Sequence, residues 1–211
     1  MKFKLLYSYR FLLFILSVLG VYLQLTKHGG FGMMLYYTIL SNMLVMFFMG
    51  DMVWRMVRGR STQSQDYLRM KGAVTMSIMI TCVIYHFMLA PLATPEKFYR
   101  LENFLCHYIV PLMFFFDTLV IDKAKQYRKL DPFLWTLIPL AYMLFALLNG
   151  LVLKWPIPGA KDSPFAYFFI NVNKYGWAFV GKWVVIIFIA YLLAGYVLYG
   201  IKNIKRKSAV S

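Results

Sequence analysis

The residues of this chain equipped for chemistry lie inside long apolar stretches: Thr38, Ser41 and Asn42 in one, His86 in the next, His107 in a third, and Tyr142 with Asn149 in a fourth. A threonine hydroxyl attacks an acyl carbonyl when a neighbouring base removes its proton, and a neutral imidazole does that near neutral pH. Amide and hydroxyl donors meet the other requirement of acyl transfer, stabilisation of the oxyanion. These types outline an ester hydrolysis with Thr38 as nucleophile, His107 as base, and Asn42, Ser41, Asn149 and Tyr142 as oxyanion or substrate-binding donors. His86 has three readings: it orients His107, binds a substrate head group, or pairs with His107 as an axial ligand of haem. Each residue also has a structural reading. Hydroxyls in membrane helices bond back to carbonyls, and asparagines join one helix to another.

Apolar helices must position these groups. The chain has 211 residues, 61% of them hydrophobic and 19% aromatic, with mean hydropathy +0.63, which is the composition of an integral membrane protein. Six segments approach the roughly 20 apolar residues that cross a bilayer: 10–25, 33–54, 72–92, 103–121, 132–153 and 179–201. An all-α, single-domain, six-helix transmembrane bundle is expected, without a separate soluble domain. At 1.5 Å per residue Thr38, His86, His107 and Asn149 each lie about 6 to 9 Å below one hydrocarbon edge, with Asn42 about a turn deeper. Thr38 and Asn42 share a helix face, as do Asn103 and His107. The longest connection, 154–178, carries Pro156, Pro158 and Pro164 and is placed to cap this layer as a lid or re-entrant loop.

The formal charge is +15. Nucleic-acid binding wants a basic stripe on a folded face, whereas here the cations are dispersed among short loops, so no nucleic acid is expected. About 16 of the cations, including Lys2, Lys4, Arg10, Arg69, Lys71, Lys202, Lys205, Arg206 and Lys207, fall on one side, which the positive-inside rule makes cytoplasmic along with both termini. The basic residues 202–207 suit anionic lipids, and the five tryptophans near span ends read as interfacial anchors. Asp51 reads as an interfacial partner of Arg55. Asp117, ten residues beyond His107, is too far along its helix to complete a catalytic triad. Cys82 and Cys106 form neither a disulfide framework nor a metal-ligand pattern, and no metal or other cofactor is expected. Without a small-residue cleavage site, the first stretch reads as a retained helix. No phosphate-loop, HExxH or GxSxG motif supports a soluble-enzyme mechanism.

Several ordered segments carry a family resemblance: Tyr37-Thr-Ile-Leu-Ser-Asn-Met-Leu-Val45, Gly72-Ala-Val-Thr75 with Val83-Ile-Tyr-His86, Leu105-Cys-His-Tyr-Ile-Val-Pro-Leu112, Pro139-Leu-Ala-Tyr142 and Trp155-Pro-Ile-Pro158. Together they resemble a bacterial six-pass membrane family that is distantly similar to the androgen-induced membrane hydrolases of animals. The resemblance implies a bacterial plasma-membrane protein. It also implies a threonine hydrolase of fatty-acid esters of hydroxy fatty acids, with Thr38 as nucleophile and His107 as base. The spacing from His107 to Pro111 and the second histidine at position 86 depart from the animal pattern, which leaves open which imidazole is the base. The expected partners are a lipid or fatty-acyl ester and the membrane lipids, with no obligatory protein partner. The alternative is a six-helix small-molecule or lipid binding or transport protein without catalysis.

Overall fold

The computed structural model describes residues 3–160 and 163–203, and over them the chain is helical, with six helices long and apolar enough to cross a membrane. These are α1 (Phe3–His28), α2 (Tyr37–Val57), α3 (Gln65–Leu92), α4 (Leu101–Ile121), α5 (Asp131–Leu153) and α6 (Val172–Asn203). Helices α1 and α2 pack along one another, α2 packs on α3, and α4 closes against all three. The last two helices dock on the other side, α5 and α6 both against α3. Leu13, Val45, Met49, Ile78, Val110 and Phe114 interlock between the first four. Outward-facing Leu12, Leu144, Leu193 and Val197 remain exposed, as a lipid-facing surface requires. Lipid is as apolar as leucine, so burial alone does not hold such helices together. Close packing and interhelical polar bonds do.

The first polar set is a cluster of charges in the α1–α4 group. The Arg10 guanidinium grips Asp117 with two hydrogen bonds, Nε to Oδ2 at 2.9 Å and Nη2 to Oδ1 at 3.0 Å. Lys71 Nζ donates to Asp117 and, at 2.8 Å, to Asp122, while Arg10 Nη1 reaches Thr62 at 3.3 Å. All five side chains are buried. Each charge alone would be costly in this setting, and mutual pairing offsets that cost.

This cluster corrects several sequence expectations. Arg10 and Lys71 are not loop charges but buried members of the bundle, so α1 and α3 begin earlier than apolarity alone indicates, at Phe3 and Gln65. Lys202 is not part of a lipid-facing basic tail. Its ammonium is buried and donates to the backbone carbonyls of Thr118 at 2.8 Å and Asp122 at 2.7 Å. Lys2, Lys205, Arg206 and Lys207 lie outside the described residues. Trp135 is no interfacial anchor either, being buried with its indole donating to Arg69 O at 3.2 Å. Trp54, Trp155 and Trp177 are exposed, and Asp51 pairs with Arg55 at 2.7 Å as expected. Helix α6 starts at Val172 but breaks at Gly176, whose φ of 77° is open to glycine at little cost.

The connection between α5 and α6 folds onto the bundle. Ile157, Phe165, Tyr167, Phe169 and Ile170 are all buried, and Tyr36 Oη donates to Pro158 O at 2.6 Å. Asn149 pins the start of this loop, its Nδ2 donating to Trp155 O at 3.3 Å and Pro164 O at 3.1 Å while its Oδ1 accepts from Trp155 N.

Candidate active site

Three chain segments converge on Thr38. Its own helix begins at Tyr37, with Tyr36 in the extended conformation before it, so Thr38 lies in the first turn of α2. Amides there have no carbonyl one turn earlier to bond, and they carry the positive end of the helix dipole. The Thr38 N–H points instead at Tyr167 Oη, 3.4 Å away on the capping loop.

From α4, His107 brings Nε2 to 3.3 Å from Thr38 Oγ1. The other ring nitrogen, Nδ1, lies 3.0 Å from the carbonyl oxygen of Asn103. A carbonyl only accepts, so Nδ1 carries a proton, and in the neutral ring Nε2 is left with its lone pair toward Thr38. His107 lies in a widened π turn, Leu105–Ile109, a backbone irregularity that recurs at functional sites. Its ring stacks on Tyr85 of α3 with centroids 3.7 Å apart, and the Tyr85 hydroxyl accepts from Asn103 Nδ2 at 2.5 Å. Imidazole, ring partner and carbonyl acceptor thus form one braced unit. Thr38, Tyr85 and His107 are buried.

Tyr167 completes the group from the loop, its hydroxyl 3.5 Å from Thr38 Oγ1. Burial pushes its phenol up from the ordinary range, so the hydroxyl keeps its proton at neutral pH and serves as a donor. Nucleophile, base and a donor for developing negative charge therefore meet at one point. Contacts of 3.3–3.5 Å are loose for strong hydrogen bonds, as is common before substrate tightens a site.

The remaining sequence candidates lie around this point, in varied roles. Asn42 Nδ2 donates to Thr38 O at 2.8 Å and Cys106 O at 3.0 Å, joining α2 to the His107 turn. With both amide hydrogens engaged, Asn42 holds the nucleophile's backbone and offers nothing further to an oxyanion. Ser41 Oγ lies 3.1 Å from Thr38 O and 2.7 Å from Thr81 Oγ1, linking α2 to α3. Tyr142 Oη donates to Leu35 O at 2.8 Å, and its ring abuts Tyr37 and Tyr167. Asn149 is committed to the loop. His86 is exposed, its Nδ1 3.2 Å from Tyr108 Oη, and it makes no hydrogen bond or ring contact with Thr38 or His107. No cluster of metal-ligand side chains occurs among the described residues.

Two cavities share Thr38, Tyr85, Leu89 and Tyr167 as a common wall. One, of about 110 Å³, is an apolar slot between α3, α5 and α6, with Ile80, Leu140, Met143, Ile187 and Phe188 in its lining. The other, of about 270 Å³, reaches His107, Tyr36 and Gln24 of α1. Tyr167 and Gln24 escape sequence reasoning. The one signal for Tyr167 is the aromatic run Phe165-Ala-Tyr-Phe-Phe169 within a connection already marked as a cap. Comparison with family models, curated proteins and solved structures finds no match to this chain.

Proposed function

We propose that the protein is an intramembrane hydrolase of lipid esters. The observation that carries this reading is the Thr38–His107 contact, with the distal ring nitrogen held by a backbone carbonyl so that the proximal one is free to act as a base. In the first half-reaction the Thr38 oxygen attacks the ester carbonyl carbon while His107 Nε2 takes the hydroxyl proton. The tetrahedral oxyanion lies against the Tyr167 hydroxyl and the Thr38 amide, at the positive end of α2. Its collapse breaks the bond to the alcohol oxygen, which receives the proton from His107. Water then attacks the acyl-threonine after giving a proton to the same nitrogen, and the fatty acid leaves as Thr38 recovers its hydrogen.

The positive-inside distribution supports cytoplasmic termini with the site toward the outer leaflet, where lipid esters reach it laterally, and the resemblance supports a bacterial plasma membrane. The resemblance extends this to fatty-acid esters of hydroxy fatty acids as one candidate class. Labelling of the purified protein with a fluorophosphonate tests the reading. Wild type is expected to label, and both Thr38→Ala and His107→Ala to lose at least about 100-fold in labelling rate. Equal labelling of all three would reject the hydrolase and leave the two cavities as the site of a binding protein.

A further inference from the structure

The two cavities that meet at Thr38 are both lined mainly by apolar surface, and only the second carries an amide, Gln24, and an imidazole, His107. An acyl group bonded to Thr38 Oγ1 has the apolar slot on one side, bounded along α5 from Thr136 to Met143 and along α6 from Val184 to Tyr191. Each stretch rises about 10 Å, and the surface between them is mainly apolar. The departing alcohol has the other chamber. Its polar groups are Gln24, Tyr36, Thr38, Tyr85, His107 and Tyr167, and no Lys, Arg, Asp or Glu lines either cavity.

Gln24 is the decisive residue. Its side chain is 8% exposed, it lines the chamber, and it makes no hydrogen bond to any described residue. An amide that presents two donors and an acceptor to this cavity is matched by a ligand with hydroxyls, which also donate and accept. The nearby cations are already engaged: His28 Nε2 lies 2.9 Å and Lys27 Nζ 3.4 Å from the Glu102 carboxylate. A carboxylate or phosphate in this chamber would lack the charged partner that its burial demands.

We infer, building on the hydrolase reading, that the ester this site takes joins a fatty acyl chain to a small uncharged polyol of the glycerol kind. The acyl group occupies the slot and the polyol hydroxyls face Gln24. The step is the one already balanced above, with the polyol as the alcohol that leaves.

The test compares purified protein in detergent micelles on monolauroylglycerol, lauroyl-lysophosphatidylcholine and a lauric ester of hydroxystearic acid, each rate corrected by Thr38→Ala. Monolauroylglycerol is expected to show a kcat/KM at least about tenfold above the other two, and Gln24→Leu to remove that advantage. In parallel, the non-hydrolysable monolauryl glyceryl ether should raise the Tm of wild type and Thr38→Ala, but not of Gln24→Leu. Thr38-dependent hydrolysis that prefers either charged ester, or that Gln24→Leu leaves unchanged in preference, overturns the polyol assignment while the hydrolase stands. Absence of all Thr38-dependent turnover and labelling overturns the hydrolase, and the ether then reports on the chamber alone: a shift lost in Gln24→Leu keeps it as a polyol site, and no shift ends that assignment too.

Discussion

Thr38 combines three properties that no single feature of its type confers: a hydroxyl beside a lone pair, a backbone amide directed at a phenol rather than a helix carbonyl, and a place in the first turn of a helix. Tyr167 acts on the same point from the loop, so removing its hydroxyl tests the oxyanion role directly. Tyr167→Phe is expected to lower kcat by about 100-fold with little change in KM, measured on any ester the wild type turns over. His86→Ala, by contrast, should stay within about twofold of wild-type activity, because its ring is exposed beside Tyr108. The contrast between the two histidines was not legible from type and depth alone. Both sit at one level, and only the helix packing places one imidazole inward against Thr38 and the other on the outside. Thr38 and His107 stood out as candidates because hydroxyl and imidazole groups in apolar helices are costly without partners. Tyr167 had no such signal, since a tyrosine in a proline-rich connection follows no periodicity.

Helix ends and the loop across them set the precision of this arrangement. Gly150, near the end of α5, shows how tightly the loop is held: a Cβ there would come within 2.0 Å of the Phe165 ring. Phe165 is buried two residues before Tyr167, so Gly150→Ala must displace the loop that carries the phenol. The expected result is activity reduced about tenfold or more, with α-helical circular dichroism retained. The six spans were readable from apolar length, but their limits were not. Arg10 and Lys71 look like boundaries because a lone charge in hydrocarbon is expensive, and the cost is offset by Asp117 on a helix distant in sequence and Asp122 just beyond its end. No local pattern discloses that pairing. The first turn of α2, where the Thr38 amide escapes the helix ladder, was likewise hidden, since apolarity places the start of that span at Met33, ahead of the observed Tyr37.

At the scale of the whole molecule, one polar group ties α2, α3, α4 and the capping loop together at Thr38, and another ties α1, α3 and α4 at Asp117. The second should dominate stability. Asp117→Asn leaves Arg10 and Lys71 with too little negative charge and is expected to cost about 3–5 kcal/mol, read as a lowered midpoint in denaturant titration of the micellar protein. Replacing Arg10, Lys71, Asp117 and Asp122 together with apolar residues of similar volume should recover much of that loss, which separates unpaired charge from general disruption.

The charge cluster also has a consequence for biosynthesis. Arg10 and Lys71 emerge from the ribosome well before Asp117 and Asp122, so in a nascent chain of three helices these two cations lack the carboxylates they pair with in the fold. The cluster is completed only once α4 and the residue that follows it have been made.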